Sequence, residues 1–214
     1  MSSIDNQGIN NQRKNIGMVL VLGLVLVVVA IVTFFFLVFA TSSEPLPVSR
    51  QIQSFELEEA TGETYQSDNG KIKLVSFLLL NCPDGVCPMT MSDFSDLQKE
   101  LKEDGLFGKE VELVAITFDP ERDDIQSLKE YSTYFDADLE GWKFLRGSEE
   151  QIKALSDDLG YSYFVGEDGS AMHATTMYIL DGKHQIRAYH KMTTRHEQMN
   201  KEAIMKDIRQ LVKE

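Results

Sequence analysis

Apolar positions are unevenly distributed along the chain. Ile16 to Ala40 carries no charged residue and no proline, and the helix it predicts is apolar on every side, whereas a core helix keeps a polar stripe. At ~1.5 Å per residue that helix reaches ~37 Å, more than a ~30 Å hydrocarbon core. The pattern predicts one N-terminal transmembrane helix over 16–40. Arg13 and Lys14 precede it and Glu44 follows, so the positive-inside bias leaves residues 1–15 in the cytoplasm and sends the remainder outside. The run far exceeds the ~7–15 apolar residues of a signal peptide. No cysteine follows it as in a lipoprotein signal. An uncleaved anchor is therefore expected, although Val38-Phe39-Ala40 offers small residues for cleavage.

Residues 41–51, with Ser42, Ser43, Glu44, Pro45 and Pro47, read as a tether. Over 52–214 the pattern changes to short alternating and helical segments. Phe55-Glu56-Leu57 and Thr64-Tyr65 around Thr61-Gly62 predict a leading β-hairpin. Lys71 to Leu80 and Val111 to Phe118 are apolar runs suited to buried strands. Between them Met91, Phe94, Leu97 and Leu101 recur at helical spacing, with Gly105 as the stop. Asp123 or Asp124 caps a helix bearing Ile125, Leu128 and Tyr131. Ser148 with Gln151 forms a capping box ahead of Ile152, Leu155 and Leu159, and Gly160 ends that helix. Thr175 to Leu180 and Gln185 to Tyr189 flank the turn Asp181-Gly182, and Ile204, Ile208, Leu211 and Val212 mark a last amphipathic helix. This order predicts an α/β, thioredoxin-like domain with a leading hairpin, its two parallel strands joined by a helix.

The net charge of -13 argues against nucleic acid as a partner, since phosphate binding needs a basic face. Two cysteines among 214 residues exclude a disulfide-rich fold and a four-cysteine zinc site. Both lie in Leu80-Asn81-Cys82-Pro83-Asp84-Gly85-Val86-Cys87-Pro88, the loop from the first long strand into the first helix. Pro88 suits the first helical position, which puts Cys87 near the N-cap. There the helix dipole makes it the more thiolate-prone of the two. The chemistry open to the pair is thiol–disulfide exchange, soft-metal binding, or both. An inert disulfide closing so short a loop would stabilise little.

Three motifs in order give a resemblance. They are Cys82 with Cys87-Pro88, then Asp119-Pro120-Glu121-Arg122-Asp123 after the second strand, then His173 shortly before Met177-Tyr178-Ile179-Leu180-Asp181. With them the chain resembles the Sco/SenC family of membrane-anchored, thioredoxin-fold copper-binding proteins. Members help to assemble the binuclear copper centre of cytochrome c oxidase. The resemblance runs from Phe55 to the C-terminus. It implies one copper ion, as Cu(I) or Cu(II), held by Cys82, Cys87 and His173, with Asp119 behind the ligands or at a partner contact. Capping of the following helix, with Arg122 as counter-ion, is the equal alternative for Asp119. The implied partner is the oxidase subunit carrying the binuclear copper site, and the implied place is the outer face of a bacterial cell membrane rather than a mitochondrial inner membrane.

The spacing here is Cys-x4-Cys, one residue longer than the family's Cys-x3-Cys. Gly85 is expected to absorb the extra residue at a positive φ. The resemblance favours a metallochaperone over an enzyme. The rivals are a tethered thiol–disulfide oxidoreductase cycling Cys82 and Cys87, and a peroxiredoxin-like peroxidase, whose usual Thr/Ser and Arg around the sulfur the loop does not clearly supply, although Thr90 lies three residues beyond Cys87. His184, His190 and His196 match no motif and are expected at or near the surface. Met91 and Trp142 are expected in the core, with Met89 open.

Overall fold

The computed structural model describes residues 5–40 and 44–214, with side chains described at 18, 20–36 and 44–214. The chain forms two compact units, Met1–Glu44 and Pro45–Glu214. The first contains α1 (Asp5–Ala40). Among the described residues no helix is long and apolar enough to cross a membrane. The remaining side chains of the expected 16–40 span, and Thr41 to Ser43 of the expected tether, lie outside the described residues.

The second unit runs β1 (Arg50–Gln51), β2 (Glu56–Glu59), β3 (Thr64–Gln66), β4 (Ile72–Leu78), α2 (Val86–Glu103), β5 (Val111–Thr117), α3 (Ile125–Thr133), β6 (Trp142–Arg146) and α4 (Glu149–Leu159). It continues with β7 (Tyr163–Val165), β8 (Ala171–His173), β9 (Thr176–Leu180), β10 (Gln185–Lys191) and α5 (Lys201–Leu211). Eight strands form one sheet in the order β1-β10-β9-β4-β5-β6-β2-β3. Strands β4, β5 and β6 are parallel, with Ile72 opposite Val111 and Leu113 opposite Trp142. Strand β9 runs antiparallel to β4. Every residue of β4 and β5 is buried, as expected of central strands covered on both faces. This is the thioredoxin-like α/β arrangement, with the leading hairpin β2–β3 added through β6.

The expected caps are present. Asp124 accepts from the Ser127 N–H, Ser148 and Gln151 close a capping box, and Gly160 takes the left-handed conformation after α4. The core includes Trp142, Phe77, Phe94, Phe144 and Met91, all wholly buried. Two charged residues lie inside the central strands because a local network satisfies them. Glu112 accepts from Tyr65, Asn69 and Lys71, and Lys73 Nζ donates to Asn69 Oδ1 and the Lys71 carbonyl.

The turn after β9 is longer than the expected Asp-Gly pair. It runs through Lys183 to His184, whose φ is 59 and whose N–H returns to the Asp181 carbonyl. From Leu46, between its two prolines, the expected tether is pinned down. Arg187 donates to the Leu46 carbonyl, and Arg50 and Gln51 pair with β10.

Candidate metal centre

Strand β4 delivers the chain to the loop that holds both cysteines. Gly85 is the N-cap of α2 at φ 76, the left-handed conformation that glycine adopts most easily. Lacking a side chain, it leaves capping to its neighbour, and Asp84 Oδ1 accepts the Val86 N–H at 3.0 Å. The helix therefore starts at Val86, two residues before the proline expected to open it. Cys87 is its second residue. That position turns the Cys87 side chain into the core, where it is wholly buried, while Cys82 stays half-buried at the surface.

The Cys87 N–H points at the Cys82 sulfur, 3.4 Å away. The electrostatics of the pair are therefore the reverse of the expectation. Donation from Cys87 pulls the Cys82 thiol well below its ordinary range, against burial, with His173 helping. The same contact, together with burial, pushes Cys87 far up. Cys82, not Cys87, is the thiolate-prone residue, because the Cys87 thiol donates to it and the Cys87 N–H at the helix start adds a smaller share. As a thiol, Cys82 donates to Asp84 Oδ1 at 2.9 Å. Burial raises the Asp84 carboxyl, but bonds from Cys82 and the Val86 N–H outweigh it and hold it below the usual range.

His173 arrives from a different element, a two-stranded sheet in which it sits opposite Tyr163. Its ring packs on Phe118 at 5.4 Å, and Nδ1 donates to the Ala174 carbonyl at 2.8 Å. In the neutral ring this leaves a lone pair on Nε2. That atom is buried with no hydrogen-bond partner, and its nearest carboxylate contact is Asp84 Oδ2 at 3.7 Å. The adjacent Cys82 sulfur holds the imidazole above its ordinary pKa, against burial. The ligand atoms of Cys82, Cys87 and His173 lie within 4.8 Å of one another. Two sulfurs and an imidazole whose other nitrogen is anchored to a carbonyl form a soft-metal donor set.

The family model described as SCO1/SenC matches residues 44–213. The chain belongs to the SCO1/SenC family. A SCO2-like protein of Rickettsia conorii is 31% identical over 135 residues, 59% of this chain and 62% of that protein. The match thus spans less than two thirds of the relative's length. Among solved structures, a SCO1/SenC family lipoprotein from Bacillus anthracis superposes with a TM-score of 0.69 at 26% identity, covering 78% of this chain and 97% of that one. Arabidopsis thaliana ScoI, solved with copper bound, superposes with a TM-score of 0.59 at 27% identity, covering 74% and 98%.

In this SCO1/SenC chain Asp119 has no hydrogen bond to either cysteine. It is buried, and its carboxylate takes Arg122 Nη1 at 3.2 and 2.9 Å. The acid that reaches the cysteine loop is Asp123, whose Oδ2 accepts the Leu80 N–H at 3.2 Å and the Thr117 hydroxyl. Asp84 was not singled out from the sequence, and Asp123 entered only as a helix-cap candidate and motif member, because an acid two residues after a cysteine or at the end of a motif gives no directional signal. The other histidines divide. His196 is exposed and His190 pairs with Asp207. His184 is buried, contrary to expectation, because the longer turn folds it against Ser67. Met89 is half-buried and Thr90 wholly buried, its hydroxyl without a partner.

Proposed function

We propose that this chain is a membrane-anchored copper carrier, in which Cys82, Cys87 and His173 hold one copper ion as cargo. It would pass that ion to the oxidase subunit bearing the binuclear copper site. The observation that carries this reading is the buried, unpartnered Nε2 of His173 facing two sulfurs. An orphaned buried nitrogen is costly unless it has a ligand. The low-pKa Cys82 offers a thiolate without prior activation. Cys87 gives up its proton when both sulfurs take the cargo, so binding releases a proton to solvent. Affinity should then rise with pH. Handover proceeds by exchange of these donors for those of the recipient, which keeps the ion from being released free.

Membrane attachment belongs to the same reading. Residues 1–15 would lie in the cytoplasm, 16–40 span the bilayer, 41–51 tether, and 52–214 stand outside as the copper domain. In α1 the Thr33 hydroxyl bonds back to the Val29 and Ala30 carbonyls at 2.8 and 3.0 Å, which suits an apolar surrounding.

A second reading rests on the Cys82–Cys87 contact. The Cys82 thiolate attacks a partner disulfide and forms a mixed disulfide. Deprotonated Cys87 then attacks the Cys82 sulfur, which frees two partner thiols and leaves Cys82–Cys87 oxidised.

The test is anaerobic copper titration of the reduced full chain in detergent, beside His173→Ala and Cys87→Ser. One retained copper is expected, with its thiolate-to-copper absorption band lost in Cys87→Ser and shifted in His173→Ala. No retained copper, with a reversible Cys82–Cys87 disulfide, would leave the exchange reading.

A further inference from the structure

The three donors stand on two separate elements of the one compact unit. Cys82 and Cys87 belong to the β4–α2 connection, whereas His173 belongs to the β7–β8 hairpin, which pairs with no strand of the main sheet among the described residues. The main sheet reaches the histidine only through the two residues between His173 and β9, and among the described residues the turn end of the hairpin has no pairing with that sheet. At the base of the hairpin, Phe118 packs on Tyr163 at 5.3 Å and on His173 at 5.4 Å. These ring contacts, with the Nδ1 bond to the Ala174 carbonyl, fix the base of the hairpin and leave its turn end to other contacts.

The turn end of the hairpin is held by Arg122. Its Nη2 donates to the carbonyls of Gly166 at 3.3 Å and Glu167 at 3.1 Å, while Nη1 bridges both oxygens of Asp119. The line of hydrogen bonds continues inward. The Asp119 N–H donates to Thr117 Oγ1 at 3.1 Å, the Thr117 hydroxyl donates to Asp123, and Asp123 takes the Leu80 N–H at the root of the cysteine loop. A continuous strut thus joins the cysteine loop to the far end of the histidine hairpin, and its outer member is an exposed arginine that touches none of the three donors.

We infer that Arg122 is a positioning residue, clasping the β7–β8 turn so that His173 meets the two sulfurs; the metal-related part of this rests on the copper reading above. The planar fork serves an acid and two carbonyls at once, which a lysine ammonium does not reproduce. A purely electrostatic role would be rescued by lysine, whereas a geometric role would not.

The experiment compares the full chain in detergent with Arg122→Gln and Arg122→Lys. The first readout needs no metal: amide hydrogen exchange of the reduced, copper-free proteins. Exchange over 163–173 is expected to rise about tenfold in both variants, the loss of a pair of charge-assisted bonds, with the rest of 45–214 unchanged. The second readout is copper. Both variants are expected to keep the two-thiolate absorption but to shift its position, as His173→Ala does, and to bind about tenfold more weakly. Unchanged hairpin exchange overturns the inference, as does faster exchange spread over the whole domain. Wild-type copper binding in variants with a loosened hairpin also overturns it, as does full rescue by Arg122→Lys. A wild-type chain that retains no copper overturns the copper reading instead, and the hairpin exchange still decides whether Arg122 holds the turn.

Discussion

The Cys87 N–H lies 3.4 Å from the Cys82 sulfur, so the start of α2 stabilises a negative charge on the other cysteine and not on its own. Which thiol reacts follows chiefly from the Cys87 thiol donating to Cys82, with that N–H adding to it. In reduced, copper-free protein, alkylation is expected at Cys82 first, with a half-maximal rate at a pH well below the ~8.5 of a free thiol. Cys87 is expected to stay unmodified until the domain unfolds, since it is wholly buried and held as a thiol. Cys87→Ala removes the thiol that donates to Cys82 and should move the Cys82 midpoint up. Mass spectrometry of iodoacetamide labelling against pH reads all three. Labelling of Cys87 ahead of Cys82 would mean that the assignment is reversed.

Gly85 makes the longer cysteine spacing possible through its backbone, not through the space it leaves. A Cβ built on it meets nothing within 4 Å, yet its φ is +76. Gly85→Ala should therefore cost about 1 kcal/mol from the left-handed conformation alone, and Gly85→Asn less, because asparagine tolerates that region. Denaturant titration of the reduced, copper-free chain measures both. Equal stability of alanine and glycine at this position would show that the loop relaxes to a negative φ.

How much of this could be read from the residues depends on the range of the forces involved. Strands β4 and β5 announced themselves as apolar runs, and α4 as a capping box followed by a left-handed glycine, because those signals are local. Strands β7 and β8 have three residues each, too few for an alternation to register, and among the described residues they pair only with each other. The Trp142–Arg146 strand was likewise passed over, with only Trp142 expected in the core and no element assigned there. Cys82, Cys87 and His173 were found as a set through motif order, and the structure brings their donor atoms together. The direction of the thiol polarity was misjudged because Pro88 was taken for the first helical residue. It is the third, so Cys87 lies inside the first turn with its side chain buried and its N–H on the Cys82 sulfur. Asp119 was singled out where Asp123 makes the contact to the loop, a choice decided by side-chain direction at a bend.

His184 should make stability pH-dependent. It is buried beside Ser67, whose Oγ lies 2.9 Å from its Nε2, and burial, aided by Lys73, lowers its pKa from the ordinary 6.5. The unfolded chain then takes up this proton at a higher pH than the folded one. The contribution is fully present above pH 6.5 and is lost as the pH falls through the lower folded value. His184→Asn keeps a residue type tolerant of the positive φ and removes the titration. The difference in Tm between the two proteins should accordingly narrow as the pH is lowered from 7 to 5. A difference independent of pH would show that His184 is not a titrating contributor in this range.

Lys73 offers the opposite case, a charge inside the sheet that weakens the fold. It is wholly buried in β4, and desolvation brings its pKa down from 10.5 to about 8, against the nearby Glu112. Below about 8 the folded chain carries the ammonium at a cost. Between about 8 and 10.5 the folded chain has released a proton that the unfolded chain still holds, so stability rises with pH across that window. Lys73→Met fills a similar volume without the charge. Replacement of a buried charge by a packed apolar side chain is often neutral or stabilising, and the expected result at pH 7 is a gain of about 1 kcal/mol, reduced by the loss of bonds to Asn69 Oδ1 and the Lys71 carbonyl. Denaturant titrations at pH 7 and pH 9.5 separate the terms. The wild type should gain on Lys73→Met as the pH rises, because only the wild type sheds its penalty. Loss of more than about 2 kcal/mol at pH 7 would show instead that the bonds to Asn69 and Lys71 outweigh the burial of the charge.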